Sequence, residues 1–238
     1  MSIRNKDILD SITYARRIQL AILPSEIPYK ETFVLYKPKD IVSGDFYWIN
    51  TAGGKEFLAA VDCTGHGVPG AFMSFIGYTS LNKIIIEQQV LKPSEILDRL
   101  NEEVATNLHQ KGEAIVNDGM DISLICYSPE TRILEYAGAF NPLIIIRDEE
   151  LIEVKADRFA IGRSTGNEKS FTNHEFRIEE GDCVYLYSDG YADQFGGQEG
   201  KKFKTSSLKD LLLHISEFDV ETQLKILDTT FEDWKGKH

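Results

Sequence analysis

Three aspartates in this chain share one setting. Asp45 opens an apolar run after a glycine in SGDFYW. Asp62 closes another run ahead of the small residues of VDCTGHGVPG, and Asp189 closes a third in YLYSDGY. Apolar strands hold their ends rigidly, and small neighbours leave room there. Carboxylates gathered at such ends repel one another, and a hard divalent cation makes the cluster favourable. Mg²⁺ and Mn²⁺ take oxygen ligands and usually keep several waters. The chain has no CxxC pair and no Cys/His spacing of the zinc type, which argues against zinc. An Asp beside a Gly at a strand end is also ordinary turn chemistry. Spacing alone leaves both readings open.

The elements that must position these acids follow from periodicity. The first segment reads as a helix to Leu23, where Pro24 disfavours its continuation. Ile8, Ile12, Ala15, Gln19 and Ile22 form a 4-3-4-3 seam of coiled-coil type, with Gln19 as the polar exception. It is either a helix packed on its own domain or a dimer helix leading in from an upstream module. TFVLYKP and DFYWINT read as strands around a turn at Ser43-Gly44, and Gly53-Gly54 turns the chain into KEFLAAVD. A long helix follows Gly70, with Pro69 suited to a first helical position. A second helix carries the stripe Ile96, Leu97, Leu100, Val104 and Leu108. Further strands are expected in MDISLICYS, RILEYAGAF, PLIIIRD, LIEVK, EFRI and CVYLYSD. Two striped helices end the chain, the second with Asp219 as N-cap. Strands, a helix pair, strands and a helix pair predict an α+β fold.

Composition narrows the function classes. The chain has 238 residues, 42% hydrophobic and 27% charged, with 26 basic and 38 acidic side chains and a net charge of −12. That balance fits a folded domain and a cation ligand, and disfavours nucleic acid, whose phosphates need basic patches. No apolar window reaches transmembrane length, so direct membrane insertion is not expected. Cys63, Cys126 and Cys183 are odd in number, two of them inside apolar runs, and are read as reduced thiols of a cytoplasmic protein. GxxxxGK[ST] does not occur.

PKDIVSGDFYW, DCTGHGVPGAF, DGMDISL, YAGAFNPLIIIR, AIG and YSDGYAD, in this order, resemble the sporulation stage II E-type branch of the metal-dependent protein phosphatase family, related to protein phosphatase 2C. The resemblance runs from about Tyr14 to Trp234. It implies a four-layer αββα sandwich, two mostly antiparallel sheets flanked by helix pairs. It also implies two Mg²⁺ or Mn²⁺ ions between the sheets, with Asp45 contacting both. Asp62, with the main-chain carbonyl of Cys63, would bind one ion, and Asp189 the other. The implied reaction is hydrolysis of phosphoserine or phosphothreonine on a protein by metal-activated water, with no phospho-enzyme. The implied partner is a phosphoprotein of a bacterial signalling relay, such as an anti-sigma-factor antagonist.

Several residues keep two readings. His66 is either a general acid to the leaving oxygen or a structural turn residue. Asp118 and Asp121 either serve an outer or extra metal position or cap their strand. Asn141 either approaches substrate or turns the chain before Pro142. Gly44 leaves room beside Asp45. Residues 1–24 are expected to form a regulatory or linker helix, with a homodimer through it, and residues 25–238 the phosphatase domain. Relatives of this kind continue into one more strand that supplies a further metal-binding Asp, and this chain ends at FEDWKGKH without it. The second functional expectation is therefore a catalytically impaired domain that works by binding a partner.

Overall fold

The computed structural model describes residues 3–24, 26–109, 118–162 and 169–236. Helix α1 (Ile3–Ile22) leads into a hairpin of β1 (Phe46–Ala52) and β2 (Lys55–Cys63). Helix α2 (Gly67–Leu81) runs into a π-helical turn at Asn82–Glu87, and α3 (Pro93–His109) follows. Strands β3 (Met120–Ser128), β4 (Ile133–Ala139), β5 (Leu143–Arg147), β6 (Glu150–Val154), β7 (His174–Arg177) and β8 (Cys183–Leu186) come next. A four-residue helix α4 (Gly190–Asp193) and a small hairpin of β9 (Phe195–Gly196) and β10 (Lys201–Lys202) precede α5 (Thr205–Ile215) and α6 (Val220–Lys235). The strands form a five-stranded sheet in the order β1-β2-β3-β4-β7 and a three-stranded sheet in the order β6-β5-β8, every pairing antiparallel.

Strand alternation builds the layers. Successive side chains face opposite sides of a strand. Ile122 and Leu124 therefore enter the core under α2 and α3, with Trp48, Phe57, Ile96 and Leu100. Ile125 faces the other way and meets Leu143 and Ile145 between the two sheets. Ile144 and Ile146 turn outward again, to Leu208, Leu212 and Leu227 of α5 and α6. Three cores stacked in this way make the expected four layers. Each fully buried Ile or Leu contributes roughly 1.5–3 kcal/mol, so both faces of each sheet are strongly specified.

Some elements differ from expectation. Residues 32–38 enter no strand ladder. They run extended between cores, with Phe33 and Leu35 on one and Tyr36 on another, while Lys37 is ion-paired to Asp228 and Glu232 of α6. Helix α2 starts at Gly67, so Pro69 is its third residue, where its missing N–H still costs no helical bond. The α2 helix ends by widening into the π turn, where Asn82 Oδ1 accepts from Trp48 Nε1 at 2.9 Å. Helix α4 and the β9–β10 hairpin lie in a stretch with no clear period. The Asp219 N-cap is present, accepting from Thr222 N at 2.8 Å. The α1 seam is split. Ile8 is exposed, whereas Gln19 is buried against the domain. Gln19 clasps the Ser43 backbone, donating to its carbonyl at 2.6 Å and accepting from its N–H at 2.9 Å.

One part-buried ion pair fastens β5 to the turn before β8. Arg147 donates from Nε and Nη2 to the Asp182 carboxylate at 2.9 and 2.6 Å, and the Asp182 side chain is 1% exposed. The guanidinium holds the Asp182 carboxyl below its ordinary value of 3.8. A lowered folded pKa gives stability that is present above 3.8 and lost as pH falls through the folded value. Arg147→Met is expected to destabilise the fold near neutral pH, because it leaves the Asp182 charge without its partner. Urea unfolding at pH 7 and pH 3 checks it, and the penalty should shrink at the lower pH.

Candidate metal centre

The antiparallel registers bring the acids into one row. Phe46 pairs with Val61, so Asp45, one step earlier, lies across from Asp62. Asp62 pairs with Asp121. Ile122 pairs with Ala139, so Phe140 follows beside Asp121. Phe46, Val61 and Ile122 belong to the core under α2 and α3. Their neighbours Asp45, Asp62 and Asp121 therefore face the second sheet, at one end of the five-stranded sheet. There β8 runs on through Ser188 to Asp189, the N-cap residue of α4. Ser188 Oγ donates to Asp45 Oδ2 at 3.0 Å and ties the two sheets together.

The electrostatics are those of crowded acids. The Asp62 carboxyl is within hydrogen-bonding reach of Asp45 and of Asp189. Burial, then the charges of Asp45 and Asp189, push it up to about 8. Burial also raises Asp45, opposed by hydrogen bonds from Asp62 and Ser188. Among the described residues no group of three or more His, Cys, Asp or Glu forms a ready cage for one ion. The carboxyls instead meet in pairs through Asp62. Their all-oxygen donor set and mutual repulsion fit hard cations that keep part of their water.

Glycines make the loop behind these acids. A Cβ on Gly44 would meet the Gly65 carbonyl at 2.7 Å and the Cys63 carbonyl at 3.1 Å. A Cβ on Gly70 would meet the Gly65 carbonyl at 2.6 Å and the Gly44 Cα at 3.0 Å. Gly65 itself has φ +91°, open to glycine but strained for other residues. The Cys63 side chain is buried in the core, and burial raises its thiol pKa, while its carbonyl approaches Gly44. Its main chain, not its thiol, is therefore presented to the loop. Gly70→Ala is expected to destabilise the fold by about 1–3 kcal/mol, as overpacking against backbone does; thermal unfolding checks this.

The remaining candidates separate. Asp121, Asp62, Thr64 and Phe140 line one cavity of about 300 Å³. His66 caps α2 with an 84% exposed side chain, its Nδ1 2.9 Å from Asp40 Oδ2, and does not line that cavity. Asp118 also stays out of the lining. It precedes Gly119, whose carbonyl accepts from Thr64 N at 2.8 Å. Residues 110–117, just before it, lie outside the described residues. Asn141 is a turn residue, its N–H donating to the Ala139 carbonyl at 2.7 Å and its carbonyl accepting from Tyr136 Oη at 2.8 Å. Its Nδ2 is buried without a partner among the described residues. Thr64 and Phe140 lie inside DCTGHGVPGAF and YAGAFNPLIIIR, but neither is a residue type that marks metal chemistry. Counting register outward from the Gly53-Gly54 hairpin is what would have found Phe140.

Sandwich and site together define a protein phosphatase 2C-type domain, and solved structures agree. The SiaA-PP2C domain of Pseudomonas aeruginosa superposes with a TM-score of 0.89 at 31% identity, over 100% of this chain and 94% of that one. The phosphatase domain with a regulatory fragment of SpoIIE from Bacillus subtilis gives 0.61 at 19% identity, over 80% of this chain and 53% of that one. RsbX, solved in complex with magnesium, gives 0.57 at 15% identity, over 86% and 88%. No curated protein matches. The family model for stage II sporulation protein E matches residues 52–237. The chain belongs to the SpoIIE family.

Proposed function

We propose that this chain is a metal-dependent protein serine/threonine phosphatase, acting on a phosphoserine or phosphothreonine protein of a bacterial signalling relay. The observation that carries this reading is the meeting of Asp45, Asp62 and Asp189 at facing sheet ends, with Asp62 raised to about 8 by burial and its two neighbours. Asp45 and Asp62 would hold one Mg²⁺ or Mn²⁺ ion and Asp45 with Asp189 a second, the Cys63 carbonyl adding a ligand to the first. Bound there, the ions would supply a water of lowered pKa and a sink for charge on the phosphoryl oxygens. The chain's own residues set the frame. Ser188 orients one Asp45 oxygen. The Gly44–Gly65–Gly70 contact fixes the Cys63 carbonyl. Thr64, held to Gly119, and Asp121 form polar walls where a phosphoryl group would sit.

The magnesium complex of RsbX supports the choice of ion. The fold is shared with the RsbU and RsbW domains of Rv1364c from Mycobacterium tuberculosis, 20% identical, and the substrate we propose is an anti-sigma-factor antagonist. A regulatory role for α1 is supported by the Gln19 clasp on Ser43, whose hydroxyl accepts from the Asp45 N–H at 3.0 Å. Exposed Ile8, Tyr14 and Ile18 on α1 leave apolar surface for a second copy. Among the described residues no helix is long and apolar enough to cross a membrane, which fits the cytoplasmic reading.

The second reading, a partner-binding domain with little turnover, is favoured by the lack of a three-donor cage among the described residues. Hydrolysis of p-nitrophenyl phosphate with Mn²⁺, with Mg²⁺ and with EDTA separates the two. The phosphatase reading expects turnover with either metal and none with EDTA. No turnover by folded protein in any of the three would leave the binding module.

A further inference from the structure

Phe140 is the apolar member of the acid-lined cavity, beside Asp62, Thr64 and Asp121. Its ring belongs to none of the three cores, and the residue is 48% exposed. Its backbone has φ +58°, a left-handed conformation that suits Gly or Asn and is unfavourable for an aromatic residue. The surroundings impose that conformation. Phe140 N–H donates to the Asp157 carbonyl at 2.9 Å, and Asp157 N–H donates to the Gly138 carbonyl at 3.0 Å. Asp157 is anchored in turn, its carboxylate accepting from Thr172 N at 2.7 Å. The fold thus fixes the backbone that carries an aromatic ring into the lining of a polar site while gaining no core packing from that ring.

We propose that Phe140 is a substrate-positioning residue, whose ring packs against an apolar side chain flanking the phosphorylated residue of the protein substrate. This rests on the phosphatase reading above. The register makes the placement concrete. Asp45, Asp62, Asp121 and Phe140 succeed one another across four positions of one sheet end. A phosphoryl group bound at the acids therefore has Phe140 on the far side of Asp121. A peptide continuing past the phosphorylated residue in that direction meets the ring. An apolar contact of this kind discriminates by about tenfold or more. The substrate class is a phosphoserine or phosphothreonine with leucine-like neighbours, in place of the charged neighbours that an acidic site with a cationic centre could equally select.

The test compares free O-phosphoserine with two acetylated, amidated peptides, Gly-Gly-pSer-Gly-Gly and Gly-Leu-pSer-Leu-Gly, all with saturating Mn²⁺. The unaltered chain is expected to prefer the leucine peptide by about tenfold in kcat/KM. Phe140→Asn should level the two peptides, and Phe140→Tyr should keep the preference. Phe140→Asn should unfold at or above the temperature of the unaltered chain, since Asn tolerates the left-handed backbone. A preference that survives Phe140→Asn, an absent preference in the unaltered chain, or a sharp loss of stability in Phe140→Asn would each overturn the role. No hydrolysis of free phosphoserine by the unaltered chain would overturn the phosphatase reading itself, and this role with it.

Discussion

Asp62→Asn is expected to lower metal-dependent phosphate release by at least about a thousandfold and, in metal-free protein, to raise the melting temperature. The two effects have one origin. Asp62 is the carboxyl that meets both Asp45 and Asp189, so it is where a bound cation gains most and where, without one, repulsion is worst. Losing a ligand removes several kcal/mol of charge stabilisation in the transition state, and each 1.36 kcal/mol is tenfold in rate. The stability gain has a defined pH window. The Asp62 folded pKa, about 8, lies above its ordinary 3.8, so its contribution to stability is fully present below 3.8 and is lost as pH rises toward 8. Asparagine cannot ionise, so the melting-temperature gap between variant and parent should widen between pH 4 and pH 8 in EDTA. A variant that is less stable than its parent at pH 8 would contradict the crowded-acid account.

Mn²⁺ is expected to stabilise the parent strongly and Asp45→Asn hardly at all. A ligand at about a hundred times its dissociation constant adds about 2.7 kcal/mol. For a domain of this size that is roughly 5–10 °C in Tm. Asp45 is the shared ligand in the proposed centre, so its loss should weaken both ions rather than one. Scanning fluorimetry with stepped Mn²⁺ reads this directly. An equal shift in parent and variant would place the cation elsewhere.

Much of this was legible in the residues. The layer order followed from strands and helices grouped in pairs, and alternation in DISLIC and PLIIIR carried the double-sided burial. Asp45, Asp62 and Asp189 stood out because each sits at a strand end near small residues. The segment TFVLYKP did not behave as its apolar alternation suggested, because Phe33, Leu35 and Tyr36 found cores without a ladder partner for the backbone. His66 looked chemical in TGHGVPG, yet its ring pairs with Asp40 outside the cavity lining. Asn141 proved a turn residue, and the neighbour that matters was Phe140, whose position depends on three successive strand registers. Gln19, the odd polar residue of an apolar seam, was a long-range clasp that no local pattern specifies.

The most direct measurement is a Mn²⁺ titration of metal-free protein by calorimetry, with phosphate release from a phosphoserine peptide recorded on the same samples. Two ions per chain are expected, with no release before Mn²⁺ is added, release that rises with occupancy, and loss of one ion and of release in Asp62→Asn. Release in the absence of metal, or full occupancy by two ions without release, would contradict the phosphatase reading.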